Sequence, residues 1–385
     1  MVFRLKKPFP LLFDALATIG SAAFIMPERV ASTDPFKQLD DPTGSGPFRF
    51  KRDEWNSGSL VVYERNPAYR PRDEAPSLTA GGKRVFFDRV EWQIITDAAT
   101  ATAALQRDEI QWYEQPPPEL QALLKRGRDV KIEPIDRLPN PDLLRLNHLH
   151  PPFDDVAVRR AILPAIDQAD FMIAIVGDDR SEYVTGAGVY TPGTPNATAA
   201  GMEPLLGPRS VEKARAALKA AGYTDGLMRL IGPTDILAPA ALTQVAADMF
   251  RRIGMNQDLV LTDWGTVVQR RNGRESVEKG GWSALLTSSS SFDWVDPGGH
   301  SQLRGNGLQG WPGWPSVPKI EALRDAWFDA PDEASRKRLS DEVQRVAIDQ
   351  VLYVPVGAYW SQTALRRNLV DRVIGFALFW GLRPG

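Results

Sequence analysis

The chain has no cysteine and only three histidines, and its 46 Lys and Arg nearly cancel its 48 Asp and Glu, for a formal net charge of −2. The missing thiols exclude a cysteine nucleophile, a disulfide scaffold and a cysteine-ligated zinc site, and they suit an oxidising compartment. With histidine so scarce, the usual general base and metal ligand near neutral pH, catalysis would have to rest on carboxylates. The balanced charge excludes the basic face that a nucleic-acid binder turns toward phosphates. A long apolar run is missing too. Residues 9–26 imitate a signal peptide behind Lys6 and Lys7, but Asp14 interrupts them and Pro8 and Pro10 flank their start. They form neither an apolar h-region nor a membrane span. The spacing of Leu12, Ala15, Leu16 and Ile19 predicts instead an amphipathic helix that buries one face.

What is present is an ordinary globular composition: 43% hydrophobic residues, 24% charged, 35 aromatics, and 31 each of Gly and Pro in 385 residues. That length exceeds a single core and implies two or three domains. Alternation at Phe48–Lys51 and Leu60–Tyr63 predicts a hairpin, and Val90, Trp92 and Ile94 mark one face of a strand from Phe86 to Ile95. Thr96-Asp97 caps a predicted helix over 98–106, a short strand follows at 110–113, and a helix opens at Pro116–Pro118. Strands are predicted over 130–135 and 143–147. Asp154-Asp155 caps another helix, which Pro164 disturbs. Leu227–Ile231, Pro239–Ile253 and Gln257–Leu261 read as strand, helix and strand, hence a parallel pair. The tail returns to strand character at 351–356 and at 373–380, after helices over 319–329 and 333–349. The fold class is α/β.

Few residues carry chemistry. His148 and His150 have the spacing to chelate on a strand, but Pro151-Pro152 favours a turn and no third ligand is near; no metal and no cofactor are expected. Asp293 and Asp296 stand on a loop after a predicted strand at 284–286, among Trp282, Phe292 and Trp294. Aromatic walls with a few placed charges are how a pocket holds an amphipathic ligand, and a carboxylate there pairs with an ammonium group. The opposing interpretation stays open: Asp296-Pro297-Gly298 is a turn and the tryptophans are core.

Gly44-Ser45-Gly46-Pro47-Phe48, Arg65-Asn66-Pro67-Ala68-Tyr69, Pro151-Pro152-Phe153-Asp154-Asp155 with Val158-Arg159-Arg160-Ala161, Ala221-Gly222-Tyr223, Asp293-x-x-Asp296-Pro297 and Val354-Pro355-Val356-Gly357 occur in an order and spacing spread over nearly the whole chain. Together they resemble the ABC-transporter extracytoplasmic solute-binding proteins of family 5, which carry peptides, nickel complexes and opines. Leu303–Gly307 with Gly310-Trp311-Pro312-Gly313-Trp314-Pro315 is similar to one subgroup of them.

The resemblance implies a two-lobed, periplasmic-binding-protein-like clamshell (type II, cluster C). Lobe I would be residues 1–148 and 354–385, and lobe II residues 149–353. It implies a periplasmic, monomeric, non-catalytic protein whose partners are a peptide-like or cationic small solute and the transmembrane permease of an ABC importer, with no nucleic acid. Asp293 would pair with the ligand amino group, Trp282 and Trp294 would wall the cleft, and Tyr359, Asp296, Trp311 and Trp314 would complete it. Dipeptide-binding members place an Arg at the start of the helix that here begins Pro239-Ala240-Ala241, and no Arg stands there. Members also carry a signal peptide and the first half of lobe I ahead of the point matching Val2–Lys6, so lobe I is expected to be incomplete, with unpaired sheet edges. The alternative function is a secreted carboxylate-dependent hydrolase acting on a glycan through Asp293 and Asp296.

Overall fold

The computed structural model describes residues 2–18, 24–34, 39 and 41–385. The chain divides into two compact units, Met1–Gly20 with Leu138–Trp360 and Ser21–Arg137 with Ser361–Gly385. The strands that organise them are β1 (Phe48–Phe50), β2 (Leu60–Arg65), β3 (Arg89–Gln93), β4 (Trp112–Tyr113), β5 (Val130–Pro134), β6 (Asn140–Leu146), β7 (Tyr183–Val184), β8 (Met228–Pro233), β9 (Gln257–Thr262), β10 (Ala284–Ser288), β11 (Val354–Tyr359) and β12 (Gln362–Arg366). No helix among the described residues is long and apolar enough to cross a membrane.

The larger unit is built on a six-stranded sheet in the order β7-β11-β6-β10-β8-β9. β8 and β9 pair in parallel, as the strand–helix–strand pattern predicts, with the helix Leu237–Arg252 as the crossover. Alternate residues reach opposite faces. Leu230 and Leu286 enter a core shared with Leu242, Ala246 and Phe250 of that helix and with Phe171 and Met172 of the helix Gln168–Val176. Ile231 and Leu285 enter a second core with Val267, Trp282 and Trp314. A sheet covered on both faces needs strands that are apolar throughout, and β6 is buried from Pro141 to Leu146.

β6 is also where one charge enters the interior. Arg145 has no exposed surface, and its guanidinium donates to four carbonyls: Pro312 (2.7 Å), Gln302 (3.0 Å), Trp311 (3.1 Å) and Leu352 (3.2 Å). Among the described residues no carboxylate neutralises it, and burial pushes its pKa down to about 9. The Trp-Pro-Gly loop approaches this side chain so closely that a Cβ on Gly313, whose φ is +106°, would lie 2.4 Å from Arg145 Nε and 2.7 Å from the Leu146 carbonyl oxygen.

The smaller unit holds two three-stranded antiparallel sheets, β1-β2-β3 and β4-β12-β5. The helix Ala98–Gln106, capped by Asp97 accepting from the Thr100 N–H, and the helix Pro118–Lys125 cover the second sheet through Leu105, Leu124, Val130 and Ala364.

Several sequence expectations give way. The first helix spans only Leu12–Leu16 and buries nothing, with Phe13 and Leu16 exposed; a single turn is too short to present an apolar stripe, and Ile19 lies outside the described residues. The chain passes between the compact units at 137/138 and 360/361, and β6 and β11, which flank the expected lobe boundaries, pair with each other at the centre of the larger sheet. The opening segment belongs to that unit too: Phe9 packs on Phe328, and Lys7 pairs with Asp329. Residues 373–380 form no strand; only the two-residue strands Leu369–Val370 and Arg383–Pro384 pair near there.

The close approach at Gly313 predicts that Gly313→Ala loses about 1–3 kcal/mol of stability, the usual cost of a strained backbone position. Gly44→Ala, with nothing within 4 Å of the new Cβ, should stay within about 0.5 kcal/mol of the parent. Equal melting temperatures for the two variants in differential scanning calorimetry would refute this account of the loop.

Candidate functional site

In the larger unit β8, β9, β10 and β11 all run the same way, so their carboxyl ends share one edge of the sheet with the start of β6. In open α/β sheets ligands bind outside the carboxyl ends of strands, because backbone dipoles and loop side chains converge there. The same edge receives the chain at Leu138 and releases it at Trp360. The loop bearing Asp293 leaves β10 at this edge.

That loop is held from several sides. Ser289 N–H bonds the Pro141 carbonyl (3.0 Å), Thr191 Oγ1 donates to the Ser291 carbonyl (2.7 Å), Thr191 N–H to that of Trp294 (3.0 Å), and Asn196 Nδ2 to that of Val295 (2.8 Å). The side chain of Gln302 bridges the loop internally: its Nε2 donates to Ser289 Oγ (3.2 Å), and its Oε1 accepts from Trp294 Nε1 (3.0 Å). Trp294 stacks on His300 with ring centroids 4.7 Å apart. His300 in turn bonds the Tyr353 hydroxyl (2.7 Å) through Nε2, and full burial keeps its pKa well below the ordinary imidazole value, so the ring is neutral.

Within this frame the expected site residues take different places. Asp293 is half-buried; burial pushes its carboxyl pKa up, the Ser290 backbone N–H opposes the shift, and no cation is among the influences on it. Asp296 spends a carboxylate oxygen on the Gly299 N–H (2.9 Å), an Asx turn that closes the loop. Trp294 (0% exposed) and Trp282 (1%) lie inside the two cores rather than on an open wall, and Trp282 Nε1 donates to the Arg271 carbonyl. Trp314 is buried beside Trp282, and Trp311, half-buried, lies flat against Arg145 and Arg271 (5.2 and 5.0 Å to the ring centroid). Tyr359, half-buried at the end of β11, pairs with Asn140 and Tyr183 at the same edge as Asp293. The structure therefore brings Asp293, Ser289 and Tyr359 to one edge and turns the tryptophans into its supports. His148 and His150 do not converge: His150 Nε2 bonds the Arg274 carbonyl, while His148 Nε2 is buried without a partner.

One residue at this edge escapes the sequence. Asp142 lies in β6 directly opposite Ser288 of β10 and Gly357 of β11, fully buried, with both carboxyl oxygens lacking a hydrogen-bond partner. Burial pushes its pKa well above the carboxylate range, and the nearby Ser288 hydroxyl reverses only part of that shift. The signal was an acidic residue at the head of an otherwise apolar run, and starting the strand at Leu143 left it outside.

An acid whose folded pKa exceeds its unfolded one stabilises the native state only while protonated, so its contribution is lost as pH rises from the unfolded value toward the folded one. Asp142→Asn should therefore gain melting temperature over the parent progressively from about pH 4 upward, since ~3.9 is the unperturbed value. A pH-independent difference in thermal melts would show that Asp142 is not a buried neutral acid.

Comparison with known proteins agrees with this architecture. Residues 1–307 match the middle region of the bacterial extracellular solute-binding proteins, family 5. The chain is 35% identical over 387 residues to a Sinorhizobium fredii protein named as a probable peptide ABC transporter periplasmic-binding protein, y4tO, a match covering 99% of this chain and 72% of that one. It is 26% identical over 385 residues to the glutathione-binding protein GsiB of Salmonella choleraesuis, covering 95% and 68%. Among solved structures, NikA from Staphylococcus aureus in complex with Ni(L-His)2 matches with a TM-score of 0.73 over 96% of this chain and 73% of that one; at 16% identity this shows the fold alone. These relatives are binding proteins rather than enzymes, and the glycan hydrolase alternative finds no support in them.

Proposed function

The chain belongs to the bacterial extracellular solute-binding proteins, family 5, and from that premise we propose that it captures a peptide-like or cationic small solute at the Asp293 edge and delivers it to the permease of an ABC importer. It acts in the periplasm, as a monomer and without turnover. The two compact units are its two lobes, and the larger one carries the anchor.

The observation that carries this reading is Asp293, a half-buried carboxylate with no cation beside it among the described residues, on a loop fixed by Gln302 and Thr191. At 4 Å a carboxylate and an ammonium attract by about 1 kcal/mol in water but by about 4 kcal/mol at an effective dielectric of ~20, so partial burial is what makes one charge an anchor. A rigid loop adds to this, since little ordering remains to be lost on binding. Tyr359 and Ser289 lie at the same edge, and Trp282, Trp294, Trp311 and Trp314 hold the frame behind it. No Arg stands in residues 234–241, ahead of and within the first turn of the helix Leu237–Arg252. This favours ligands that present an amine without needing a matched carboxylate, such as longer or amidated peptides.

Isothermal titration calorimetry with paired peptides, free or acetylated at the amino terminus, tests the assignment. Free-amine peptides should bind, acetylation should abolish binding, and Asp293→Asn should weaken it by about 10- to 100-fold, as expected for a hydrogen bond to a charged group. Because the free carboxyl titrates above the ordinary range, affinity should fall with decreasing pH from above pH 4 in the parent and stay flat in Asp293→Asn. Unchanged affinity in Asp293→Asn would remove the anchor from the reading. Turnover of a glycan panel, lost in the same variant, would replace the reading with the hydrolase.

A further inference from the structure

The end of the larger sheet away from Asp293 carries a second charged feature. The helix Trp264–Arg271 starts at the carboxyl end of β9, where Asp263 caps it by accepting from the Thr266 N–H. Its Val267 enters the second core with Ile231 and Leu285, so the helix lies back over the sheet and its last turn returns to the amino end. There Trp282, just ahead of β10, donates its Nε1 to the Arg271 carbonyl (3.0 Å). The five residues of β10 separate this bond from the Asp293 loop by about 17 Å.

Two indoles hold the Arg271 guanidinium. Its central carbon lies 5.8 Å from the ring centroid of Trp264, two turns earlier on the same helix, and 5.0 Å from that of Trp311. Both distances are within the range of cation–π attraction. Trp311 is itself fixed, because its carbonyl accepts from Arg145 and its ring lies against that guanidinium. Arg271 is half-buried, and its Nε is sealed without a partner. Its two terminal nitrogens, neither sealed nor hydrogen-bonded among the described residues, reach solvent.

The charge here is not offset. Elsewhere in this unit Arg160 pairs with Asp349, Arg229 with Asp258 and Arg304 with Glu321. Among the described residues neither Arg271 nor Arg274 has such a pair, and burial alone, with no carboxylate, influences the pKa of Arg271. Arg274 lies over Trp314 (5.7 Å) and donates to the Leu308 carbonyl (3.1 Å), while Arg270 donates to that of Gly280 (3.3 Å). The neighbouring acids are committed or turned to water: Asp263 to its cap, Asp258 to Arg229, Glu278 to Ser276, and Glu275 exposed. Basic residues in a last turn complement the helix dipole, but the dipole does not call for two ring faces around an unpaired guanidinium.

We propose that Arg271, with Arg274 three residues on, forms an oxyanion-binding site, taking a carboxylate or a phosphate group on the two terminal nitrogens of the clamped guanidinium. A guanidinium presents a planar fork that matches two oxygens of one anion, which an ammonium group does not. Stacking has already ordered the side chain, so binding forfeits little rotamer freedom. The site is separate from the one containing Asp293 and does not depend on its assignment.

The test titrates the full chain calorimetrically with inorganic phosphate, acetate and chloride at matched ionic strength. Phosphate or acetate should bind at one site and chloride should not; phosphate without acetate assigns a phosphate group, and acetate without phosphate a carboxylate. Arg271→Lys keeps the charge but loses the fork, and should weaken binding about tenfold or more, the scale of a hydrogen bond to a charged group. Arg274→Gln should weaken it about two- to fivefold. Asp293→Asn should leave it unchanged. Equal binding of chloride, parent affinity in both arginine variants, or loss of binding in Asp293→Asn would overturn the proposal.

Discussion

The larger unit depends on how one buried cation is satisfied. Arg145 enters the interior from the central strand of the sheet with no carboxylate to meet it, and a desolvated guanidinium left without acceptors would cost several kcal/mol. Four backbone carbonyls meet it instead, from Gln302, Trp311, Pro312 and Leu352. Those carbonyls belong to the Gln302–Pro312 stretch and to Leu352, two residues before β11, so solvating the charge fixes their positions. Gln302, placed by its backbone, uses its side chain to tie Ser289 to Trp294, and Asp293 lies on the segment so fixed. The glycine at 313 follows from the same constraint, because no Cβ fits where the loop crosses the guanidinium.

Desolvation sorts the ionisable groups of this unit into two kinds. His300 and Asp142 are enclosed completely and are driven to their neutral forms, so neither carries charge; His300 bonds the Tyr353 hydroxyl, while Asp142 fills space in the sheet. Asp293 is enclosed only in part. Its charged form is destabilised yet stays in reach of solvent, the balance that the proposed binding role requires. Asp296, three residues on, accepts the Gly299 N–H in a turn, and Asp293 is likewise opposed by the Ser290 N–H, so what sets Asp293 apart is the burial that raises its pKa.

The helices at 98–106, 319–329 and 333–349 were legible from caps and periodicity, and the parallel β8–β9 pair from its strand–helix–strand spacing; the structure places these within a residue or two. Local signals of this kind carry no information about what a side chain meets across the sheet. The tryptophans near Asp293 suggested an aromatic wall, but whether an indole lines a cleft or fills a core depends on strand parity and on the loops above it. Here Arg145 pulls the Trp311 loop inward, and Gln302 consumes the Trp294 N–H. The limits of the compact units depend on pairing in the same way. β6 and β11 are apolar strands beside Pro-bearing segments, which reads as a domain exit, yet their pairing to each other holds both inside the larger sheet. Asp142 was missed because an acid in a strand reads as a strand end unless its cross-strand neighbours are known.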